Sequence, residues 1–377
     1  MEREDVLAEL KRTLAMDHHF KDGRILSSIC TTPHELAIEA HTMFIEANLG
    51  NPDLYPGTKQ LEIEIIRILS ELFHGTDVGG HMTSGGTEAN ITALWIARKR
   101  SGKNEVLYPK TAHFSIIKSI DLLNMTPIEI QLDEQYRMSI DDVEDKVSKN
   151  TAAIVCMAGT TELGMIDPIS ELSNLFLDNF HLHVDAAFGG FVVPFLKELS
   201  YQLPPIDFEL PGVSSFNTDP HKMGFSTTPI GALLFRDKKY LDRITVDAPY
   251  LISMKHSTLT GTKNSGAVAA TYAVLRYLGR NGFKEIVKQC MKNTNYLVSR
   301  IQEIGLEIVT KPVMNIVGIK TTQPEKIQRE LANQNWFVSK GQYPRCIRLV
   351  LMPHVTRSAI DNFIPVLEQT NRMLGEL

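Results

Sequence analysis

The stretch HLHVDAAFGG at residues 181–190 places two histidines and an aspartate at alternate positions. In a β-strand, residues i, i+2 and i+4 point to one face, so His181, His183 and Asp185 would point the same way. These are zinc-ligand types, and the pattern alone is compatible with a zinc hydrolase. It is also compatible with a buried strand end that supplies one carboxylate for another purpose. Neither an H-E-x-x-H motif nor a further ligand cluster supports the metal.

A second stretch, TSGGTEAN (83–90), sets a Ser-Gly-Gly-Thr run directly before a helical pattern that ends at Gly102. Glycines let the backbone approach a ligand closely, and the free N–H groups and dipole of a helix start favour an anion such as phosphate. The run is neither a Walker loop nor a Rossmann fingerprint, which disfavours ATP and NAD. Taken alone, it is equally typical of a helix-capping turn.

Lys222 lies in SSFNTDPHKMGFS (214–226), a segment poor in other charges. A lysine in such surroundings can lose its proton and form a Schiff base with an aldehyde, whereas a solvated loop lysine is the alternative. A phosphate-compatible helix start, an aspartate at a strand end and such a lysine are together what pyridoxal 5′-phosphate requires. The carboxylate keeps the pyridine nitrogen protonated, and the lysine holds the aldehyde. On this interpretation Asp185 serves a cofactor rather than a metal.

The surrounding elements predict how these residues are positioned. Residues 58–73 repeat apolar positions at helical spacing, and the apolar run 151–158 is typical of a strand buried in a parallel sheet. Asp167-Pro168 would start a helix of about a dozen residues ending near Asn179, and the next strand would lead into Asp185. In such a β-α-β unit, functional residues lie at the carboxyl ends of the strands.

From about residue 266 the pattern changes: SGAVAATYAVLRYLG (265–279), 283–303 and 356–375 are typical of helices, with short strands at 313–319 and 346–351. The expected fold class is α/β, with a large, mostly parallel sheet domain and a smaller C-terminal α+β domain. The predicted divisions are an N-terminal helical segment at 1–50, a large cofactor-binding domain at 51–265 and a small domain at 266–377.

Composition narrows the function classes. With 377 residues and 43% hydrophobic content, the chain can bury a core of roughly two domains. A net charge of −5 and no Lys/Arg-rich block argue against nucleic acid as partner. The N-terminus is charged and amphipathic, which predicts neither a signal peptide nor a membrane span. Four widely spaced cysteines predict no disulfide framework and fit a reducing cytoplasm.

With these residues in hand, the chain resembles the group II pyridoxal-phosphate-dependent amino-acid decarboxylases of the fold-type-I aminotransferase superfamily, and most closely the archaeal L-tyrosine/L-aspartate decarboxylases. The resemblance implies a homodimer with shared active sites that forms tyramine for methanofuran synthesis or β-alanine for coenzyme A synthesis. It covers nearly the whole chain, through NLGNPDLYPGTKQLE, TSGGTEAN, TAHFS, AGTTELGMIDPI, HVDAAFGG, DPHKMG, VDAPYL, TYAVLRYLG and IRLVLMPHVTR in that order.

The resemblance also implies roles for individual residues. Lys222 would carry the cofactor, Asp185 would contact its pyridine nitrogen, and His113 would stack on its ring. Ser84, Gly85, Gly86, Thr87 and His221 would hold the phosphate, Thr160 would lie near the ring oxygen or the substrate, and Ala187 would pack under the ring. Residues 51–59 and 259–266 would reach the partner's cofactor. This chain has Lys263 where relatives usually show an arginine, so the role of the second segment is open.

Substrate-facing residues are less clearly marked. Arg348, with Arg357 as a weaker alternative, is a candidate to bind a substrate carboxylate, although an arginine in a structural ion pair is the competing interpretation. Tyr250 is the candidate proton donor to Cα, with His113 or Lys222 as alternatives. Tyr55 is a candidate for the side-chain pocket. Alternative functions are a glutamate decarboxylase, a carbon–carbon lyase, an aminotransferase, or a cofactor-binding relative without catalysis.

Overall fold

The computed structural model describes residues 1–175, 180–253 and 255–377. Its helices are α1 Arg3–Leu14, α2 Glu35–Met43, α3 Pro56–Leu72, α4 Gly86–Ser101, α5 Phe114–Leu122, α6 Ile140–Lys146, α7 Ile169–Leu175, α8 Val193–Glu198, α9 Ser265–Glu303, α10 Pro324–Asn333 and α11 Arg357–Leu374. Its strands are β1 Gly79–Thr83, β2 Glu105–Pro109, β3 Thr126–Ile130, β4 Thr151–Met157, β5 His181–Asp185, β6 Val213–Thr218, β7 Gly231–Phe235, β8 Val246–Asp247, β9 Lys255–His256, β10 Ile316–Lys320, β11 Ser339–Gln342 and β12 Arg345–Val350.

A seven-stranded sheet with the order β1-β7-β6-β5-β4-β2-β3 forms the centre of the fold. Strand β7 is antiparallel to both of its neighbours, and the other pairs are parallel. Strands β4 and β5 are buried at every position, as expected for strands that are covered by helices on both faces. The predicted α/β fold class with a mostly parallel sheet is confirmed.

The predicted β-α-β unit is present as β4, α7 and β5. Met157 pairs with Asp185 in the parallel register, so both strands end at the same edge of the sheet. Helix α7 is described from Ile169 to Leu175, and its predicted end near Asn179 lies outside the described residues. The buried Asp167 carboxylate accepts hydrogen bonds from the Met138 and Met157 amides, which ties the strand end to the loop that follows it.

A smaller three-stranded sheet, β10-β12-β11, lies in the C-terminal part of the chain. The two helices predicted at 265–279 and 283–303 form one segment, α9, which is interrupted at Gly279, where φ is 54°. The helix ends there because this backbone conformation favours glycine and cannot continue an α-helix. The proposed division at residues 50 and 265 remains a prediction.

Two parts of the N-terminal segment contact the C-terminal part of the chain: α2 packs against α9, and Leu26 makes backbone hydrogen bonds near the small sheet. At Gly266, a Cβ atom would come within 2.7 Å of the His41 ring, so this glycine allows α9 to approach α2 closely. The Leu26 amide donates to the Phe337 carbonyl, and the Leu26 carbonyl accepts from the Val350 amide. These contacts bring the segment that follows Leu26 towards the edge of the large sheet. Among the described residues, no helix combines the length and apolar content needed to cross a membrane.

The carboxylate of Glu62 connects helix α3, strand β1 and the loop before α9. One oxygen accepts from the Met82 amide and from Lys263 Nζ, at 2.9 and 2.8 Å, and the other accepts from Lys59 Nζ at 2.8 Å. Burial alone would raise the pKa of Glu62, but Lys263 and Lys59 outweigh it and lower that pKa to about 2. The Lys263 side chain therefore fixes the loop before α9 to α3 and β1 within its own chain.

We predict that Glu62→Gln destabilises the protein by about 3 kcal/mol at neutral pH, because the variant leaves the Lys263 ammonium buried without its counterion. The lowered pKa of Glu62 stabilises the fold above pH 4.5, and this contribution is lost as pH falls towards 2. The deficit of the variant should thus shrink in acid. Chemical unfolding of the wild-type protein and of Glu62→Gln at pH 7 and pH 3 measures this difference in unfolding free energy.

Glu64→Gln is the matched control on the same helix, since Glu64 pairs with Arg67 at a partly exposed site and should change stability by less than about 1 kcal/mol. An equal deficit for Glu62→Gln at both pH values would contradict the assignment.

Candidate active site

A cleft of about 320 Å³ opens at the carboxyl edge of the large sheet, beside the first turn of α4. The ends of β4 and β5, the turn after β6 and the N-terminal segment all contribute to its wall. Its lining includes Ile29, Cys30, Ser84, Gly85, Gly86, Thr87, Glu88, Asn90, His113, Met157, Thr160, Thr161, Asp185, Ala187, Asp219, His221, Lys222 and Ile316. The predicted cofactor-facing residues thus come together in one cavity.

The Asp185 carboxylate is buried at the end of β5. One oxygen accepts a hydrogen bond from Asn90 Nδ2 at 2.8 Å, and the other accepts from the Ala187 amide at 3.1 Å. The side chain is therefore held as an acceptor that faces the cleft, which suits a protonated ring nitrogen.

Lys222 forms an ion pair that the sequence interpretation missed. Its Nζ lies 3.0 Å from Asp219 Oδ2, three residues earlier in the turn after β6. Burial disfavours the ammonium, but Asp219 and Asp185 outweigh this effect and raise the pKa of Lys222. In the protein without cofactor, two carboxylates therefore stabilise the charged form of Lys222, and its role as the Schiff-base lysine stays a prediction.

The start of α4 provides a surface for an anion. Gly85 has φ of 136°, and a Cβ atom there would lie 3.4 Å from His221 Cε1. At Gly86 a Cβ atom would lie 3.4 Å from Ala187 Cβ. Side chains at these positions would fill the cleft floor, and the amides of a first helical turn have no intrahelical acceptor. The Ser84 amide donates to Glu88 Oε2 at 2.7 Å, and the expected role of the Ser84 hydroxyl at the phosphate stays a prediction.

Three further predicted residues line the cleft. His113 caps α5, and its Nδ1 contacts Ser115 Oγ at 2.8 Å. Burial lowers the pKa of His113, an effect that nearby Asp185 only partly offsets, so the ring is neutral at neutral pH. Thr160 accepts a hydrogen bond from the Met165 amide at its hydroxyl, which leaves its own proton available to a ligand. Ala187 presents only a methyl group.

Three other candidates do not line the cleft of their own chain among the described residues. Tyr250 is 87% exposed, and Tyr55 lies at the partly exposed start of α3. Arg348 is buried behind Thr161, whose carbonyl oxygen accepts from its Nε. Its Nη1 donates to the Ser27 carbonyl at 2.9 Å and to Ser339 Oγ at 3.0 Å. Its Nη2 is buried and has no partner among the described residues.

Sequence reasoning missed Asp219, Asn90 and Cys30. Asp219 could have been found from its spacing, because a residue three positions before a lysine in a turn can reach it. Asn90 carried a weak signal, since an asparagine in a helix interior is unfavourable without a specific partner. Cys30 carried none, because only the packing of the N-terminal segment brings it to the cleft.

The alternative metal interpretation of HLHVD can be compared with the contacts of its histidines. All four ring nitrogens of His181 and His183 lie within hydrogen-bond distance of a protein side chain. A ring nitrogen that already accepts or donates such a bond is not free to bind a metal. The buried imidazoles are better described as part of a hydrogen-bonded layer beneath Asp185.

Comparison with known proteins agrees with this geometry. Residues 5–321 match the family model described as "Pyridoxal-dependent decarboxylase conserved domain". A "Probable L-aspartate decarboxylase" of Archaeoglobus fulgidus is 46% identical, over 96% of this chain and 97% of that protein. A "Probable L-tyrosine/L-aspartate decarboxylase" of Methanothermobacter thermautotrophicus is 43% identical over 93% and 98%. An "L-aspartate/L-glutamate decarboxylase" of Pyrococcus horikoshii is 44% identical over 97% of both chains.

Solved structures agree on the fold. A sphingosine-1-phosphate lyase of Burkholderia pseudomallei matches with a TM-score of 0.91 and 25% identity, over 99% of this chain and 91% of that one. A glutamate decarboxylase of Lactobacillus brevis matches with a TM-score of 0.87 and 21% identity, over 99% and 93%. The resemblance drawn from the motifs is confirmed, and the cleft has the carboxylate, amine and anion surface that the cofactor needs. The chain belongs to the family of pyridoxal-dependent decarboxylases, and pyridoxal 5′-phosphate is its cofactor.

Proposed function

We propose that the chain removes the α-carboxyl group of L-aspartate, of L-tyrosine, or of both, and forms β-alanine and tyramine respectively. The observation that carries the proposal is the convergence of Asp185, Lys222 and the start of α4 on one cleft. The names of all three relatives reported above include aspartate, which supports that substrate first. The products would serve coenzyme A and methanofuran synthesis in an archaeal cytoplasm.

The proposed cofactor site uses residues that line the cleft. Lys222 would hold the aldehyde carbon, Asp185 would face the ring nitrogen, and His113 would cover one face of the ring while Ala187 leaves room on the other. The phosphate would lie at the start of α4, and Thr160 would donate its hydroxyl proton near the ring oxygen. The residues proposed to surround the phosphate are Ser84, Gly85, Gly86, Thr87 and His221.

When bound, the cofactor supplies an electron-accepting ring that stabilises the electron pair left at Cα as carbon dioxide departs. Asp185 supports this chemistry because its negative charge keeps the ring nitrogen protonated. His113 restricts the ring's movement and excludes water from one face. Lys222 is positioned by Asp219 Oδ2, so its Nζ stays directed into the cleft before the cofactor arrives.

Return of a proton to Cα is assigned to Tyr250, whose phenol is a suitable acid, with Lys222 Nζ or His113 as alternatives. Because Tyr250 and Tyr55 lie outside the cleft of their own chain, we propose that each serves the cleft of a second copy in a homodimer. The Ser253 amide donates to Asp53 Oδ2 at 3.0 Å, so the two segments that carry these tyrosines are joined. Exposed apolar residues accompany them, including Leu54, Ile252 and Leu259.

Arg348 is proposed to bind a substrate carboxylate through Nη2 after the Thr161 backbone, which separates it from the cleft in the structure, moves aside. This guanidinium nitrogen is buried and has no hydrogen-bond partner in the described part of the chain, which is costly unless a ligand supplies an acceptor. Burial lowers the pKa of Arg348 to about 10, so the group keeps its charge at neutral pH. A fixed cation of this kind would favour an acidic substrate such as aspartate.

The products of the reaction test the proposed function directly. Purified protein with pyridoxal 5′-phosphate, given L-aspartate, L-tyrosine or L-glutamate separately, should release carbon dioxide and the matching amine in equal amounts from aspartate or tyrosine. Mass spectrometry identifies the amine. Lys222→Ala should lose both the visible absorbance of bound cofactor and turnover, because no amine remains to hold the aldehyde. A keto acid without carbon dioxide would indicate an aminotransferase instead.

Arg348→Lys should raise KM for aspartate by about 10-fold or more and change kcat less, because a lysine supplies charge without the planar donor pair. Ser339→Ala is the control, since it removes a partner of Nη1 and leaves Nη2 unchanged. Steady-state kinetics and melting temperatures of all three proteins separate binding from stability. An unchanged KM in Arg348→Lys would exclude the proposed contact.

Sharing of active sites can be tested by mixing two inactive variants. Lys222→Ala and Tyr250→Phe should each have little activity as homodimers. If Tyr250 serves the partner's cleft, their mixed dimer contains one intact site, and a random mixture should recover about one quarter of wild-type activity. Recovery after unfolding and refolding together, compared with each variant refolded alone, is the measurement. No recovery in dimers that have exchanged subunits would mean that Tyr250 serves its own chain or no site.

A further inference from the structure

A continuous chain of hydrogen bonds runs from the far end of α4 to the Asp185 carboxylate. Arg100 Nη1 lies 3.0 Å from His181 Nδ1, and His181 Nε2 lies 2.7 Å from Ser215 Oγ. Ser215 Oγ lies 2.8 Å from His183 Nδ1. His183 Nε2 contacts the amide oxygen of a buried asparagine in α4, Asn90, at 2.8 Å. The Asn90 amide nitrogen then reaches Asp185.

The direction of every bond in this chain is fixed by its two ends. A guanidinium can only donate, so His181 Nδ1 accepts and His181 carries its proton on Nε2, which donates to Ser215. The single hydroxyl proton of Ser215 is then directed at His183 Nδ1. A carboxylate can only accept, so at the other end Asn90 turns its Nδ2 to Asp185 and its Oδ1 to His183 Nε2. The bond directions deduced from Arg100 agree with those deduced from Asp185 at every atom of the series.

The protonation states agree with this direction. Burial is the main cause that lowers the pKa of His183 to about 4, and burial followed by the charge of Arg100 holds the pKa of His181 well below its usual value. Both rings are therefore neutral at neutral pH and carry one proton each, as the chain of bonds requires. Asn217 Nδ2 also donates to Asn90 Oδ1 at 3.1 Å, which strengthens the same amide orientation.

A branch connects the same asparagine to His113. The second Asn90 Nδ2 proton is directed at Ser115 Oγ, at 2.9 Å, and that hydroxyl lies 2.8 Å from His113 Nδ1. The Ser115 amide points at the same ring nitrogen, at 3.3 Å. Since Nδ1 accepts from these two donors, neutral His113 carries its proton on Nε2.

We propose that Asn90 is a positioning residue for the proposed reaction: with its amide oriented by His183, it holds the Asp185 carboxylate as a hydrogen-bond acceptor and, through the Ser115 hydroxyl, supports the proton of His113 on Nε2. The proposal rests on the roles of Asp185 and His113 proposed above. Asn90 acts through those two side chains. Arg100, His181 and Ser215 set the direction from the opposite end of the helix.

The first test measures the tautomers directly in the protein without cofactor. Long-range proton–nitrogen NMR of protein labelled at histidine nitrogen should find His113, His181 and His183 neutral and protonated on Nε2. Single histidine-to-glutamine variants assign the signals. Protonation of His183 or His113 on Nδ1 would overturn the proposal, and this measurement does not depend on any substrate or on turnover.

The second test uses Asn90→Ala and Asn90→Asp. Each should weaken binding of pyridoxal 5′-phosphate by about 10-fold or more, measured by absorbance titration, because Asp185 loses its side-chain donor. Asn90→Ala should also change the His113 nitrogen shifts. Asn371→Ala is the matched control, since Asn371 is a buried helical asparagine in α11 whose side-chain amide donates to the Leu367 carbonyl within its own helix. Its cofactor affinity should stay within about 2-fold of wild type.

Ser115→Ala covers the case in which Asn90 variants fail to fold, because it removes the branch to His113 and keeps the bond from Asn90 to Asp185. It should change the His113 Nδ1 signal, because the backbone amide of residue 115 is then the remaining donor to that nitrogen, while cofactor affinity falls less than in Asn90→Ala. Unchanged cofactor affinity in a folded Asn90 variant, or an unchanged His113 signal in Ser115→Ala, would overturn the proposal. Failure of decarboxylation with the tautomers as stated would overturn only the proposed function.

Discussion

The buried negative charge of Asp185 is the constraint on which the site depends. A carboxylate removed from water is costly unless donors replace the lost solvent. Here the Asn90 amide and the Ala187 backbone provide them, and the positive charge of Lys222 lies in the same cleft. The end of β5, the start of α4 and the turn after β6 must therefore stay in register, because each contributes one of these groups.

The sheet topology satisfies that requirement. Parallel strands β4 and β5 end side by side, and β6 continues the same edge, so the turn after it delivers Lys222 opposite Asp185. Helix α4 begins at the cleft and extends for 16 residues, about 24 Å at 1.5 Å per residue. Its first turn faces the cleft, while its last turn supplies Arg100 at the opposite edge of the sheet. Helix α4 thus carries the turn that faces the anion and also two residues, Asn90 and Arg100, of the series of hydrogen bonds that ends at Asp185.

The cleft accounts for the cofactor better than for the substrate. The residues that surround Asp185 and Lys222 come from a single chain and are mostly buried. In contrast, the segments carrying Tyr55 and Tyr250 are exposed and lie beside apolar surface. The ion pair of Glu62 and Lys263 fixes the loop before α9 to α3 within the same chain.

The sequence by itself determined the fold class, several of the helices and strands, and a set of residues that come together in the cleft. It could do so because apolar periodicity and turn chemistry are local, and because His113, Asp185 and Lys222 stand in distinctive motifs. Only the tertiary structure decided what contacts them. The tertiary structure places Asp219 beside Lys222, buries Arg348, and links Arg100 to Asp185 by hydrogen bonds through Asn90. Sequence spacing carries no information about such distances or about the direction of a hydrogen bond.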